Sequence, residues 1–268
     1  MTSRDLSRVE RLLHEAAAVK PVLGIDTGSP NAYLGLTANG RVIGGAIGRV
    51  RSHGAELPGA IDELLRGAGL TARELGAIAV GIGPGSFTGL RIGLSYAKGI
   101  ALASGCALVG VPSLDALALA ALELAKSRDG MLICAVVDAR KGEVFAALYR
   151  VVSDGLEKVS EDLLIVLEDL ASHIAGDVVL AGDSRAKDAA ALIGNRGHVV
   201  AVLDTSKLDQ RGPCIAAIGA AKLARGDIAQ AATLEPLYIR PPDAAVKLAA
   251  KSGQVRVTEA VWSEETKN

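Results

Sequence analysis

Two stretches of this chain, VLGIDTG (residues 22–28) and MLICAVVDAR (residues 131–140), are short apolar runs that end in an acid and then turn. Each leads into a second strand-like run, AYLGLTA at 32–38 and KGEVFAALYRV at 141–151. Apolar runs of this length bounded by turn residues read as buried strands. A unit of strand, acid, turn and strand that occurs twice predicts two similar α/β lobes, a duplicated fold with a cleft between them.

The elements after each unit agree with this. Asn39-Gly40 is a hairpin turn, so RVIGGAIGRV (41–50) makes a third antiparallel strand. A helix over Gly54–Gly67 follows, with Leu57, Ile61, Leu64 and Leu65 on one stripe. Next come the strand AIAVGIG, a glycine-rich loop, a helix to about Ser104, the strand ALVGV, and a helix capped by Ser113 that carries Leu114, Leu117 and Leu124. The second half predicts a helix over Leu163–Ile174, the strand DVVLAG, and helices near Lys187–Ile193 and Cys214–Ala224. The division expected is an N-terminal extension (1–20), one lobe (21–127), a second lobe (128–242) and a tail (243–268), with the polar KSRDG, 126–130, at the lobe boundary. Leu6, Val9, Leu13 and Ala16 give the extension one apolar face, but Pro21 starts the fold afresh, so a poorly anchored segment is expected.

This layout resembles the two-lobed actin, sugar-kinase and Hsp70 (ASKHA, ribonuclease H-like) superfamily. The resemblance implies that Asp26, Thr27 and Gly28 in one lobe, and Asp138 with Gly142 in the other, stand at a nucleotide cleft. Gly182 in LAGDS then stands where that superfamily places an adenosine-contacting loop. An Asp ending a strand is also an ordinary turn-former.

GIGPGSFTGLRIG (81–93) is the densest glycine loop, yet Leu90 and Arg91 follow Gly89 where a P-loop needs Lys and Ser or Thr. Ser86 stands where G-x-G-x-x-G needs its third glycine, and Thr88 breaks a G-x-S-x-G elbow. A turn with Ser86 and Thr88 as capping hydroxyls is the reading favoured over a phosphate cradle or a nucleophile. The helix that follows is built of small residues. Gly93 and Gly99 weaken it, by about 1 kcal/mol each relative to alanine, which a close contact would offset.

Composition narrows the function classes. Net charge is −1 and aromatics are 3% of the chain, too few for a single-strand stacking platform. Arg49, Arg51, Arg140, Lys141, Arg240 and Lys247 read as ordinary solvated surface, so this chain alone is expected to hold RNA weakly. Three scattered cysteines, Cys106, Cys134 and Cys214, suit buried thiols in a reducing compartment. The charged start lacks an apolar signal core and no apolar run reaches membrane length, so a cytoplasmic protein is expected.

IDTGS, SHGAELPGAIDELL, GIGPGSFTGLRIGLSYAKGIA, VPSLDALA, DARKGEVFAALY and EPLYIRPPDA together resemble the bacterial TsaB (YeaZ) family, from about Val22 to Asp243. The resemblance implies a noncatalytic subunit of the machinery that makes N6-threonylcarbamoyladenosine at position 37 of tRNAs reading ANN codons. It also implies a catalytic TsaD-type paralogue as partner, recruitment of a TsaE-type ATPase, a homodimer in isolation, and tRNA bound only by the assembled complex. No intrinsic cofactor is implied, with ATP or ADP held weakly or at the complex interface. The face meeting the paralogue would be His53, Glu56, Leu57 and Ala60 on one helix with Gly89, Ile92, Gly93, Tyr96, Ala97 and Ile100 on the next. Gly93→Glu or Ala97→Arg should then break pairing without unfolding the chain.

The paralogue holds its metal with H-x-x-x-H; here His53 is followed at that spacing by Leu57, and His14, His173 and His198 are isolated. Two other readings stay open. An independent ATP-dependent kinase is mildly favoured by Asp26, Asp138 and the Gly182 loop, although Pro30 removes a donor near the first acid. A peptidase lacks a legible triad. The tail around Trp262 is expected to form a short helix or move freely.

Overall fold

A computed structural model gives the structure; it describes residues 8–16, 18–49, 53–125, 128–153, 155–174, 176–194, 198–205 and 210–240. Lys247 and Trp262 of the tail, and Leu6 and Arg51, lie outside these residues.

The repeated unit builds two sheets of the same order. In the first, β1 (Val22–Asp26), β2 (Asn31–Ala38) and β3 (Arg41–Arg49) run antiparallel, and β4 (Ala77–Gly83) and β5 (Ala107–Pro112) add in parallel, giving β3-β2-β1-β4-β5. In the second, β6 (Leu132–Arg140), β7 (Glu143–Val152) and β8 (Gly155–Lys158) are antiparallel. Two parallel strands, β10 (Asp177–Gly182) and β11 (His198–Asp204), complete β8-β7-β6-β10-β11. The expected duplicated two-lobed α/β fold is what the chain forms.

Layers follow from where apolar residues fall. α2 (His53–Gly67) and α3 (Phe87–Ser104) cover the outer face of the first sheet, with Leu57, Ile61, Leu65, Leu94 and Ala97 buried against Leu23, Ile25 and Val80. α5 (Leu167–His173) and α6 (Ser184–Ile193) do the same for the second sheet through Leu170, Ala186 and Ile193. Between the sheets lie α1 (Arg8–Glu15), α4 (Ser113–Ala125) and α7 (Arg211–Ala224), in one core with residues of both sheets. α4 is buried without a break from Ala116 to Leu122, as a helix with neighbours on every side must be.

Several elements differ from expectation. Val9, Leu13 and Ala16 are buried on α4 and α7, and Val9 N–H donates to Glu123 Oε1 at 3.0 Å, so described residues 8–16 are anchored rather than loose. Leu163–Val166 is a strand, β9, pairing β7 beside β8 instead of starting a helix. LLIV has no polar face to turn outward, and an open strand edge satisfies its backbone. Ser113 is the first residue of α4, but its hydroxyl accepts from Gly83 N–H at 3.2 Å rather than capping its own helix. Finally α7, in the 128–242 segment by sequence, lies on β1, β2 and β4 of the first lobe. Backbones meet there: a Cβ on Gly35 would lie 2.2 Å from Pro213 N, so only glycine fits.

Candidate functional site

The carboxyl end of β1 is where the superfamily resemblance puts phosphate chemistry. Asp26 is 0% exposed there and Thr27 1%. Asp26 Oδ1 accepts from Gly28 N–H at 2.9 Å, fixing the turn into β2. Its other oxygen, Oδ2, lies 2.8 Å from Arg211 Nε, an ion pair whose side chains are 0% and 4% exposed. The Nε–H is not aimed along that line, so the pair is one of charge proximity without a hydrogen bond. The guanidinium also sits 5.2 Å above the Tyr33 ring. Asp26 is therefore sealed under α7.

The glycine loop closes the same end from the other side. Ser86 N–H donates to Gly28 O at 2.6 Å, and the Thr27 hydroxyl donates to Gly89 O at 2.8 Å. Cβ atoms on Gly89 and Gly93 would lie 2.1 Å from Thr27 O and 2.2 Å from Thr27 Oγ1. These glycines let α3 rest on the β1 turn, which is the close contact its composition called for. Ser86 is the α3 N-cap, accepting from Gly89 N–H at 3.3 Å, as expected of a capping hydroxyl.

In the second lobe Asp138 is exposed at the end of β6. Its Oδ1 accepts from Arg140 N–H at 3.0 Å, and its own N–H donates to Asp183 Oδ2 at 3.0 Å. Asp183 caps α6 by accepting from Arg185 N–H at 2.9 Å. A Cβ on Gly182 would lie 1.7 Å from Val136 O, so Gly182 serves strand contact. Asp138 and Gly182 thus stand at neighbouring strand ends, joined through Asp183, whereas Asp26 is enclosed with Arg211.

Arg211, 185 positions from its partner (211 − 26), was not among the residues singled out from the sequence. Its one local signal is an arginine directly before Gly212-Pro213 at the mouth of a small-residue helix. Among the described residues no group of three or more His, Cys, Asp or Glu is placed to hold a metal ion. Leu57, at the position of the second metal histidine, is core, 2% exposed.

The predicted partner face needs correction. Leu57, Gly89, Gly93 and Ala97 point into the protein's own core, Ala97 with 0% exposure. Gly93→Glu or Ala97→Arg would disrupt the fold itself. Glu56 is exposed, Ala60, Ile92, Tyr96 and Ile100 are half-buried, and His53 opens α2. The outward row of α3 is Ser95, Gly99, Leu102 and Ala103, with Leu102 85% exposed. Ser95, Gly99 and Ala103 of that row line a shallow groove of about 450 Å³ together with Tyr96, Ile100, Ala72 and Arg73.

Comparison with known proteins agrees with this architecture. A family model described as "TsaD: tRNA N6-adenosine threonylcarbamoyltransferase" matches residues 44–245. The chain is 34% identical over 151 residues to the tRNA threonylcarbamoyladenosine biosynthesis protein TsaB of Bacillus subtilis, covering 55% of this chain and 63% of that one. It is 34% identical over 152 residues to a tRNA N6-adenosine threonylcarbamoyltransferase of Granulibacter bethesdensis, covering 50% and 39%. The matched stretches span only 39 to 63% of the curated TsaB relatives' own lengths. The solved structure of YeaZ from Pseudomonas aeruginosa superposes with a TM-score of 0.68 at 25% identity, covering 82% of this chain and 100% of that one. The sealed first-lobe acid, the glycine loop resting on it and the duplicated sheets therefore belong to a chain of the TsaD family, on its TsaB (YeaZ) branch.

Proposed function

We propose that this chain is a noncatalytic partner subunit in the making of N6-threonylcarbamoyladenosine on tRNAs reading ANN codons. It pairs with a catalytic TsaD-type paralogue through the outward row of α3 and the exposed positions of α2. The observation that carries this reading is the sealing of Asp26. A carboxylate with no exposure, held against Arg211, cannot meet a nucleotide or its magnesium without displacing α7. The chain keeps the superfamily's frame, but the acid that ends its first strand, Asp26, is closed off from solvent. The same α3 row would hold a second copy when the paralogue is absent. A TsaE-type ATPase and tRNA join only the assembled pair, in the cytoplasm, and ATP or ADP is held weakly or at the complex interface.

Gly99→Arg tests this reading. A Cβ at Gly99 meets nothing within 4 Å, so the variant should fold normally. In gel filtration with the TsaD-type paralogue, wild type should elute as one complex and Gly99→Arg as separate components. Co-elution of the variant would place the interface elsewhere. Calorimetry with ATP and magnesium separates the kinase reading, which requires tight binding by this chain alone.

A further inference from the structure

The segment Leu237–Arg240 runs from one lobe to the other and grips both. At its start, Leu237 N–H donates to Ile82 O at 2.7 Å, beside the end of β4. The Tyr238 ring lies 5.1 Å from that of Phe87, and its hydroxyl accepts from Arg91 Nε at 2.9 Å. Arg91 itself lies 3.9 Å above the Phe87 ring. Phe87 and Arg91 belong to the first turns of α3. Half-buried Ile239 packs against the core that lies between the sheets. At the far end, Arg240 donates to Ala139 O and to the Glu143 carboxylate, which flank the β6–β7 turn.

That turn is an unusual place to be gripped. Arg140, Lys141 and Gly142 follow one another with φ of 63°, 57° and 84°, and two of the three are not glycine. Left-handed backbone at consecutive L-residues is unfavourable and persists only where surroundings impose it. Asp138 holds Arg140 N–H, Asp183 holds Asp138 N–H, and Arg185 Nη2 donates to Gly142 O at 3.4 Å. Arg240 is the contact in this set that comes from a segment also bonded to the first lobe.

We propose that Leu237–Arg240 is a two-ended clasp that couples the first turns of α3 to the β6–β7 turn, so that loosening either end loosens the other. Both ends are polar and directional, and only Ile239 separates Tyr238 from Arg240. Slack at one end therefore has little chain in which to dissipate. Because α3 also carries the row assigned above to partner contact, the clasp would relay occupation of that face to the second lobe. The coupling itself needs no partner.

Site-resolved hydrogen exchange on the full chain alone tests it, so the result is independent of whether a paralogue binds. Arg240→Ala removes the second-lobe grip. Loss of a charge-assisted bond should raise exchange at Asp138 and Arg140 about tenfold, and the clasp predicts a clear rise at Leu237 and Leu90 as well. Tyr238→Phe removes one hydroxyl at the first-lobe end and should raise exchange at Arg140. Effects confined to the end that was changed, in either variant, overturn the proposal. If Arg240→Ala does not fold, the Tyr238→Phe arm decides alone.

Discussion

Replacing Arg211 by methionine would leave Asp26 as a carboxylate with no exposed surface and no counter-charge. Methionine fills much of the same space and keeps apolar contact with Tyr33, so the loss is chiefly one of charge. Asp26 would retain a single identified bond, from Gly28 N–H at 2.9 Å. Removing one partner of a buried pair destabilises by about 3–5 kcal/mol. For a chain of this size that corresponds to a fall in Tm of roughly 6–20 °C. Asp26→Asn alone leaves the guanidinium stranded and should cost a similar amount. The double variant strands neither charge, and asparagine can still accept from Gly28. Its stability should lie well above the sum of the two losses, with a coupling of at least about 2 kcal/mol. Urea unfolding of the four proteins, followed by circular dichroism, gives the cycle. Losses that add to within about 0.5 kcal/mol would show that Asp26 and Arg211 are neighbours without being a pair, and the argument from a sealed acid would fail.

The two α3 glycines should respond oppositely to alanine. Gly93→Ala pushes a methyl onto Thr27 Oγ1 and should cost about 1–3 kcal/mol, whereas Gly99→Ala meets open space and should gain about 0.5–1 kcal/mol; the reverse order in urea unfolding would refute the assigned faces. Burial raises the Cys134 thiol from 9.0 to about 12 and the Cys214 thiol in the same direction. A thiol reagent at neutral pH should therefore label half-buried Cys106 first, and equal rates at all three would contradict the placement. A raised folded-state value means that the contribution of Cys134 is full below pH 9.0 and is lost as pH rises towards about 12. The stability gap between wild type and Cys134→Ala should accordingly shrink by about 1.4 kcal/mol per pH unit above the lower value, a trend that chemical denaturation at stepped alkaline pH would show or deny.

The fold was legible where local pattern and tertiary demand coincide. VLGID and LICAVVD are apolar throughout because both faces of β1 and β6 are covered, and the acids that end them mark the same place in each sheet. Leu163–Val166 was not legible, because four apolar residues before a helix fit either period until the free edge of β7 chooses. The faces of α3 were obscured for a related reason. A helix of glycine and alanine carries little contrast between buried and exposed rows, so Ala97 and Gly93 look as available as Ala103 and Gly99. At the site, the chain positions of Asp26, Asp138 and Gly182 could be read from strand ends. The sealing of Asp26 could not, because it depends on α7 returning across the molecule to set Arg211 beneath the first sheet.

The central claim is that a shut first-lobe acid leaves this chain to act by contact. The most direct measurement is threonylcarbamoyl transfer to tRNA, assayed with this chain alone, with its TsaD-type paralogue and ATPase alone, and with all three together. Product only when all three are present is the predicted result. Product made by the isolated chain, or an unchanged yield when it is left out, would contradict the account.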